Sequence, residues 1–210
     1  MKNELHEYYG TFGPIIKARL DEFRMTWERD DREIFAELCF CICTPQSKAV
    51  LCDEAVKRLV RNDVLYNGTR GQLRKGMRGV RFPNNKTRFI LEARSFFSEG
   101  SRLEIKKTID PDDVYATREW LVKEVKGLGY KEASHFLRNI GLGERLAILD
   151  VHILRNMAGY GIIPEVPGAI TKKRYYALEE KFRAFAGKAG IPMAELDLLL
   201  WAKETGMVFK

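Results

Sequence analysis

Residues 121–141 read LVKEVKGLGYKEASHFLRNIG, and the centre of this stretch constrains the fold more than any other. Gly127 and Gly129 stand two apart between two segments of helical apolar spacing. Glycine lets the main chain turn tightly. The segment therefore predicts two helices, about 115–125 and 131–140, joined by a short turn. Ala133, Phe136 and Leu137 would pack the second helix onto Val122 and Val125 of the first. Successive N–H groups of the turn, together with the positive end of the second helix, suit an anion. This is the helix-hairpin-helix pattern, which takes a DNA phosphate on main-chain groups and reads no sequence. The same residues also suit a plain helix corner stopped by a glycine.

The rest of the chain reads as helix as well. Ile15, Ile16, Leu20, Phe23 and Trp27 make a helical stripe over 14–28, with Pro14 suited to a first turn. Residues 32–43 (REIFAELCFCIC) are too apolar for a surface helix and predict a central one. Thr44-Pro45-Gln46 breaks it, and Ser47 is placed to cap the next helix, to about Arg61. A short helix over 69–77 precedes the loop Arg78-Gly79-Val80-Arg81-Phe82-Pro83. Asn84 or Asn85 is placed to cap a helix reaching Phe97, and 99–113 reads as loop. Asp150 opens a helix to Gly159, and helices over 171–187 and 192–205 end the chain. No alternating run demands a strand, so the fold class is all-α.

Lysine and arginine number 36 against 29 acidic residues, a net charge of +7, which favours a polyanionic partner. No apolar run is long enough to span a membrane, and MKNELHEYYG has no signal-peptide core, so the expected location is intracellular. Cys39, Cys41, Cys43 and Cys52 lack metal-site spacing and read as buried thiols.

Lys131 falls two residues after Gly129, on the first turn of the second helix, and Asp150 lies 19 residues further on. Lysine is most often a solvated charge, and an aspartate before a helix is most often a cap. Beside a DNA-binding hairpin the pair carries more. The positive end of a helix works against a second positive charge. A neutral amine is a nucleophile that forms Schiff bases. A nearby aspartate can move a proton or stabilise charge developing on a sugar.

A helix-hairpin-helix followed by Lys131 and Asp150 resembles the bifunctional DNA glycosylases of the HhH-GPD superfamily. Further stretches resemble the second, archaeal-type family of 8-oxoguanine DNA glycosylase/AP lyases. They are Thr44-Pro45-Gln46, Gly79-Val80-Arg81-Phe82, Asn84-Asn85-Lys86, the run Gly127 to His135, and Trp201-x-x-x-Thr205-Gly206-x-x-x-Lys210. The likeness covers nearly the whole chain. One departure is Val151 before His152, where that family carries a basic residue.

The resemblance implies two helical lobes with a DNA cleft between them, one of 30–130 and one of 1–29 with 131–210. It implies Lys131 as nucleophile and Asp150 as its base or as stabiliser of the sugar cation. A damaged base must leave the duplex to be reached. Phe82 in its loop is then a wedge for the vacated space, with Arg81 on the unpaired base or a phosphate. The alternative is that Phe82 anchors the loop. Trp201 can stack on the turned-out base or serve as a core aromatic. In the family the carboxylate of the last lysine, here Lys210, helps read oxidised guanine. Gln46 contacts the base or simply shapes its turn. His135 and His152 contact phosphate or brace helices, and Gly127, Gly129 and Tyr130 supply main-chain N–H groups.

The implied partner is double-stranded DNA carrying 8-oxoguanine, bound by a monomer. No cofactor or metal centre is required, and a monovalent cation at the hairpin carbonyls is the one ion expected. Two rivals remain: a related glycosylase for another damaged base, and a noncatalytic DNA-binding hairpin protein.

Overall fold

The computed structural model describes residues 2–210, with side chains from Glu4 onward. The chain is all-α, as its spacing predicts. The helices are α1 (Lys2–Trp27), α2 (Asp31–Cys43), α3 (Ala49–Arg61), α4 (Val64–Asn67), α5 (Arg70–Gly76) and α6 (Pro83–Phe97). They continue with α7 (Val114–Glu124), α8 (Tyr130–Asn139), α9 (Val151–Gly159), α10 (Lys172–Ala189) and α11 (Met193–Thr205). The stretch expected as plain loop holds a small antiparallel hairpin, Ser98–Glu99 against Arg102–Leu103, and one 3₁₀ turn, Ile105–Thr108.

Side-chain caps set several helix starts. Asp30 accepts the Glu33 N–H, Asp113 the Ala116 N–H and Thr171 the Arg174 N–H. Thr69 and Gln72 form a reciprocal capping box. Three expected boundaries differ. Pro14 lies inside α1 rather than at its start, because residues on both sides of it, Leu5 and then Ile16, Leu20 and Phe23, are buried in one core. Burial of that face along α11 outweighs the backbone bond that proline cannot donate. Ser47 does not cap α3; its hydroxyl accepts the Arg81 N–H and the Lys86 ammonium instead. Neither Asn84 nor Asn85 caps α6. Phe82 holds that position with φ +53°, Pro83 fills the first turn, and Asn84 accepts a bond from Arg74.

The buried apolar residues form two clusters. One runs from Ile34 on α2 to Leu146; the other joins α1 to Ala147 and the helices after it. The clusters thus divide at 146/147 rather than at 130/131, because Ala133, Phe136, Leu137 and Ile140 of α8 pack with the first. α2 is the centre of that cluster, buried from Leu38 through Cys43, and the four cysteines are buried free thiols.

A buried ion pair links the two clusters. Arg118 on α7 donates to both carboxylate oxygens of Glu179 on α10, at 2.7 and 2.9 Å. Glu179 also accepts the Ala147 N–H, and Arg118 donates to Ser134. Burial opposes the guanidinium charge, but Glu179 outweighs it and holds Arg118 charged. No described helix is long and apolar enough to cross a membrane.

Candidate active site

The hairpin forms as its sequence predicts. Val125 is buried with Ala133, Phe136 and Leu137, and Val122 packs against them. The two glycines act differently, however. Gly127 takes φ +91°, and a Cβ there would meet the Phe89 ring at 2.6 Å, so no other residue fits. Gly129 is extended and needs no left-handed backbone; it is the N-cap of α8, with Glu132 reaching back to its N–H at 3.2 Å. A Cβ on Gly129 would stand 3.1 Å from that carboxylate.

After the hairpin, Lys131, His135 and Arg138 recur at helical spacing along one face of α8, and all three line a cleft of about 1270 Å³. Asp150, Val151 and His152 enter it from the start of α9, and Asp197 and Trp201 from α11. Gln46 and Arg81 come from loops, and Lys210 is the last residue of the chain. The cleft therefore gathers Gln46, Arg81, Lys131, Asp150, His152, Trp201 and Lys210, which lie up to 164 positions apart in the chain (46 to 210). Lys48, Arg81, Lys131, Arg138 and Lys210 face it against Asp150 and Asp197, so its field attracts a polyanion.

Other expected residues lie outside it. Phe82 does not line the cleft. It projects half-exposed from the adjoining loop, in a left-handed backbone with the Arg81 guanidinium 5.4 Å from its ring centre. Its ring lies in neither apolar cluster. Tyr130 is committed to the protein: its hydroxyl donates to Glu119, at 2.9 Å to the nearer oxygen, and its ring packs on Tyr175 and Tyr176. Only its main-chain N–H is left for a ligand.

Each of the groups beside the hairpin has a defined partner. Lys131 Nζ lies 2.8 Å from Glu132 Oε1, so a carboxylate stands beside the lysine at the start of α8. Asp150 accepts the Ile153 N–H at 2.9 Å and caps α9. Trp201 stacks on Phe209, with centroids 6.2 Å apart.

The floor of the cleft holds charges that periodicity did not single out. Arg138 donates to Asp197 Oδ2 at 2.5 Å, while its Nε is buried without a partner. Burial pushes the Asp197 carboxyl up to about 7; Arg138 pulls it back and Asp150 adds to the rise. Burial, with Arg138 and Lys131 close by, holds the His135 imidazole well below its ordinary range. The Lys210 ammonium is pinned between Glu37, at 2.7 Å, and Asp53, at 2.8 Å, above the Phe40 ring. Burial opposes that charge, but the two carboxylates outweigh it. Lys86 is buried beneath the Gln46 loop and donates to the Cys43 and Pro45 carbonyls and to Ser47. The loop is thereby fixed with Gln46 at φ +56°. A lysine inside a helix gives no sequence sign of this; the i, i+4, i+7 spacing of 131, 135 and 138 was the one available signal.

An all-helical fold with a helix-hairpin-helix and a basic cleft holding a lysine and an aspartate defines a class of DNA-binding proteins built for base chemistry. Comparison with known proteins narrows the class. The family model described as 8-oxoguanine DNA glycosylase matches residues 16–191. An 8-oxoguanine DNA glycosylase/AP lyase of Fusobacterium nucleatum is 44% identical, covering 99% of this chain and 97% of the relative. That of Korarchaeum cryptofilum is 40% identical, covering 93% and 90%. Among solved structures, the 8-oxoguanine DNA glycosylase of Thermotoga maritima superposes with a TM-score of 0.88 at 35% identity, covering 100% and 98%. The Methanocaldococcus jannaschii glycosylase/lyase in complex with a 15mer DNA containing 8-oxoguanine gives 0.90 at 32% identity, covering 100% and 99%. The chain belongs to the 8-oxoguanine DNA glycosylase family.

Proposed function

We infer that this chain is a DNA repair enzyme, an 8-oxoguanine DNA glycosylase/AP lyase acting on double-stranded DNA. The observation that carries the reading is the cleft that Lys131 and Asp150 both line, beside a hairpin of main-chain N–H groups. The N–H groups of the hairpin and the cleft's basic residues hold the phosphates, so affinity falls steeply with salt. Phe82 fills the gap left by the turned-out nucleotide, and Trp201, Gln46 and Lys210 surround the base.

Lys131, once neutral, attacks C1′ of the damaged nucleotide. The C1′–N9 bond breaks, and the base leaves with its electron pair and takes up a proton. The nitrogen gives up a proton, O4′ takes one as the C1′–O4′ bond breaks, and the protonated imine forms. Removal of a C2′ proton then expels the 3′-phosphate and nicks the strand. Asp150 serves this sequence as proton acceptor or as counter-charge to the sugar cation. No cofactor enters these steps. A monovalent cation on the main-chain carbonyls of the 125–128 turn belongs to the same reading, and replacing potassium by a bulky organic cation tests it through DNA affinity. The enzyme acts as an intracellular monomer; its mass in solution, alone and with a short duplex, tests that.

The deciding experiment is borohydride trapping on a duplex with 8-oxoguanine opposite cytosine, with Lys131→Gln as control. The expected result is a covalent complex from the wild type and none from the variant. A trapped, active Lys131→Gln protein overturns the assignment. Trapping on other lesions but not on 8-oxoguanine favours a related glycosylase.

A further inference from the structure

Neighbouring residues on a helix point about a quarter-turn apart and do not ordinarily meet. Lys131 and Glu132 nevertheless meet at 2.8 Å, with side chains only 25% and 12% exposed. The contact forms because Glu132 is bent back over the start of α8. One oxygen, Oε2, accepts the Gly129 N–H at 3.2 Å, and the other, Oε1, takes the Lys131 ammonium. A single carboxylate thus bridges the hairpin amide and the lysine of the cleft. A glutamate at this position is a usual helix cap, but a cap needs only the amide. The second contact ties up the lysine.

Gly129 carries no Cβ, and one would stand 3.1 Å from Oε2, so the glycine lets the carboxylate close onto the amide. The amide has one proton to donate. It cannot serve Glu132 and a DNA phosphate together, and two anions crowded at one helix end repel.

We propose that Glu132 is a positioning residue that clamps the nucleophile: its carboxylate holds Lys131 against the Gly129 amide in the free protein, and a backbone phosphate that takes this amide releases Lys131 into the cleft. The proposal rests on the reading of Lys131 as nucleophile and of the hairpin as a phosphate site. It links DNA docking to exposure of the amine, so that the lysine is withheld until the backbone has seated. Glu132 touches no reacting atom in this scheme and acts through Lys131.

Reductive labelling of the DNA-free protein tests it. Lys131 is labelled with acetaldehyde and cyanoborohydride and followed by peptide mass spectrometry, with other lysines of the same chain as internal standards. Glu132→Gln keeps an acceptor for the Gly129 N–H, so the helix start is preserved, while the charge that holds the ammonium is lost. The expected result is Lys131 labelling several-fold faster in Glu132→Gln, with Lys126 and Lys172 unchanged, together with tighter binding of undamaged duplex. Glu132→Asp, too short to span both partners, should also label faster. Equal labelling in wild type and both variants overturns the clamp. Faster labelling with unchanged duplex affinity overturns the competition with phosphate. Labelling needs no lesion, so it stands apart from borohydride trapping on 8-oxoguanine: loss of trapping in the wild type sinks the functional reading and leaves the labelling result intact.

Discussion

Two buried arginine–carboxylate pairs, each leaving the arginine Nε without a partner, differ in how many hydrogen bonds hold them. At the junction of the two cores, Arg118 and Glu179 share two hydrogen bonds, and Ala147 and Ser134 supply more. Four tyrosine rings lie within 6 Å of the guanidinium, at 4.9 to 5.8 Å. On the cleft floor, Arg138 and Asp197 share one close contact, and Asp150 adds like charge. A buried charge is the more tolerable the more of its lone pairs and protons are used. The junction is therefore a fixed joint. The cleft floor keeps unspent polar capacity where a ligand would arrive.

The comparison can be broken most sharply at the junction. Glu179→Gln leaves Arg118 charged and buried without its counter-ion, and should lower unfolding free energy by about 3–5 kcal/mol. Urea denaturation reads this. A loss below about 1 kcal/mol would mean that the joint is not structural. Lys86→Met comes next. It strips three hydrogen bonds from the Gln46 loop while keeping the buried stem, and should cost about 1–3 kcal/mol, visible as a lower Tm. Faster amide exchange confined to residues 44–48 should accompany it.

At the cleft floor the signature is pH. Asp197 is pushed from an ordinary carboxylate up to about 7, so the folded protein binds its proton more tightly than the unfolded chain does. Its contribution to stability is present at low pH and is lost as pH rises through about 4 to 7. Asp197→Asn should remove that downward slope, measured as unfolding free energy at pH 5 and pH 8. An unchanged slope would mean that Arg138 holds Asp197 ionised throughout. The smallest effect falls at Phe82. Its left-handed backbone suits glycine, so Phe82→Gly should leave stability within about 1 kcal/mol. The same change should weaken binding of lesion duplex more than of single strands; equal loss on both would exclude the wedge.

Much of this molecule is legible in residue order. The all-α class follows from apolar spacing. The central place of α2 follows from a run with no polar face, and the hairpin follows from Gly127 with its flanking apolar positions. Lys131 and Asp150 stand out through their spacing from that turn. The boundary errors share one cause: local rules for proline, serine and asparagine were overridden by packing. Pro14 stays within α1 because the face around it is buried against α11. Ser47 and Asn84 are drawn from capping duty by Lys86, Arg81 and Arg74, which arrive from other segments.

The sequence alone determined the elements, the hairpin and the two residues beside it, since these rest on periods of a few residues. Only the tertiary structure decided which charges are buried together. Arg118 and Glu179 are 61 positions apart, Arg138 and Asp197 are 59, and Lys210 and Glu37 are 173. Side chains of that separation meet only once the helices have packed. Until then each is an ordinary surface charge, and nothing near it in the chain marks which will be enclosed in the cleft.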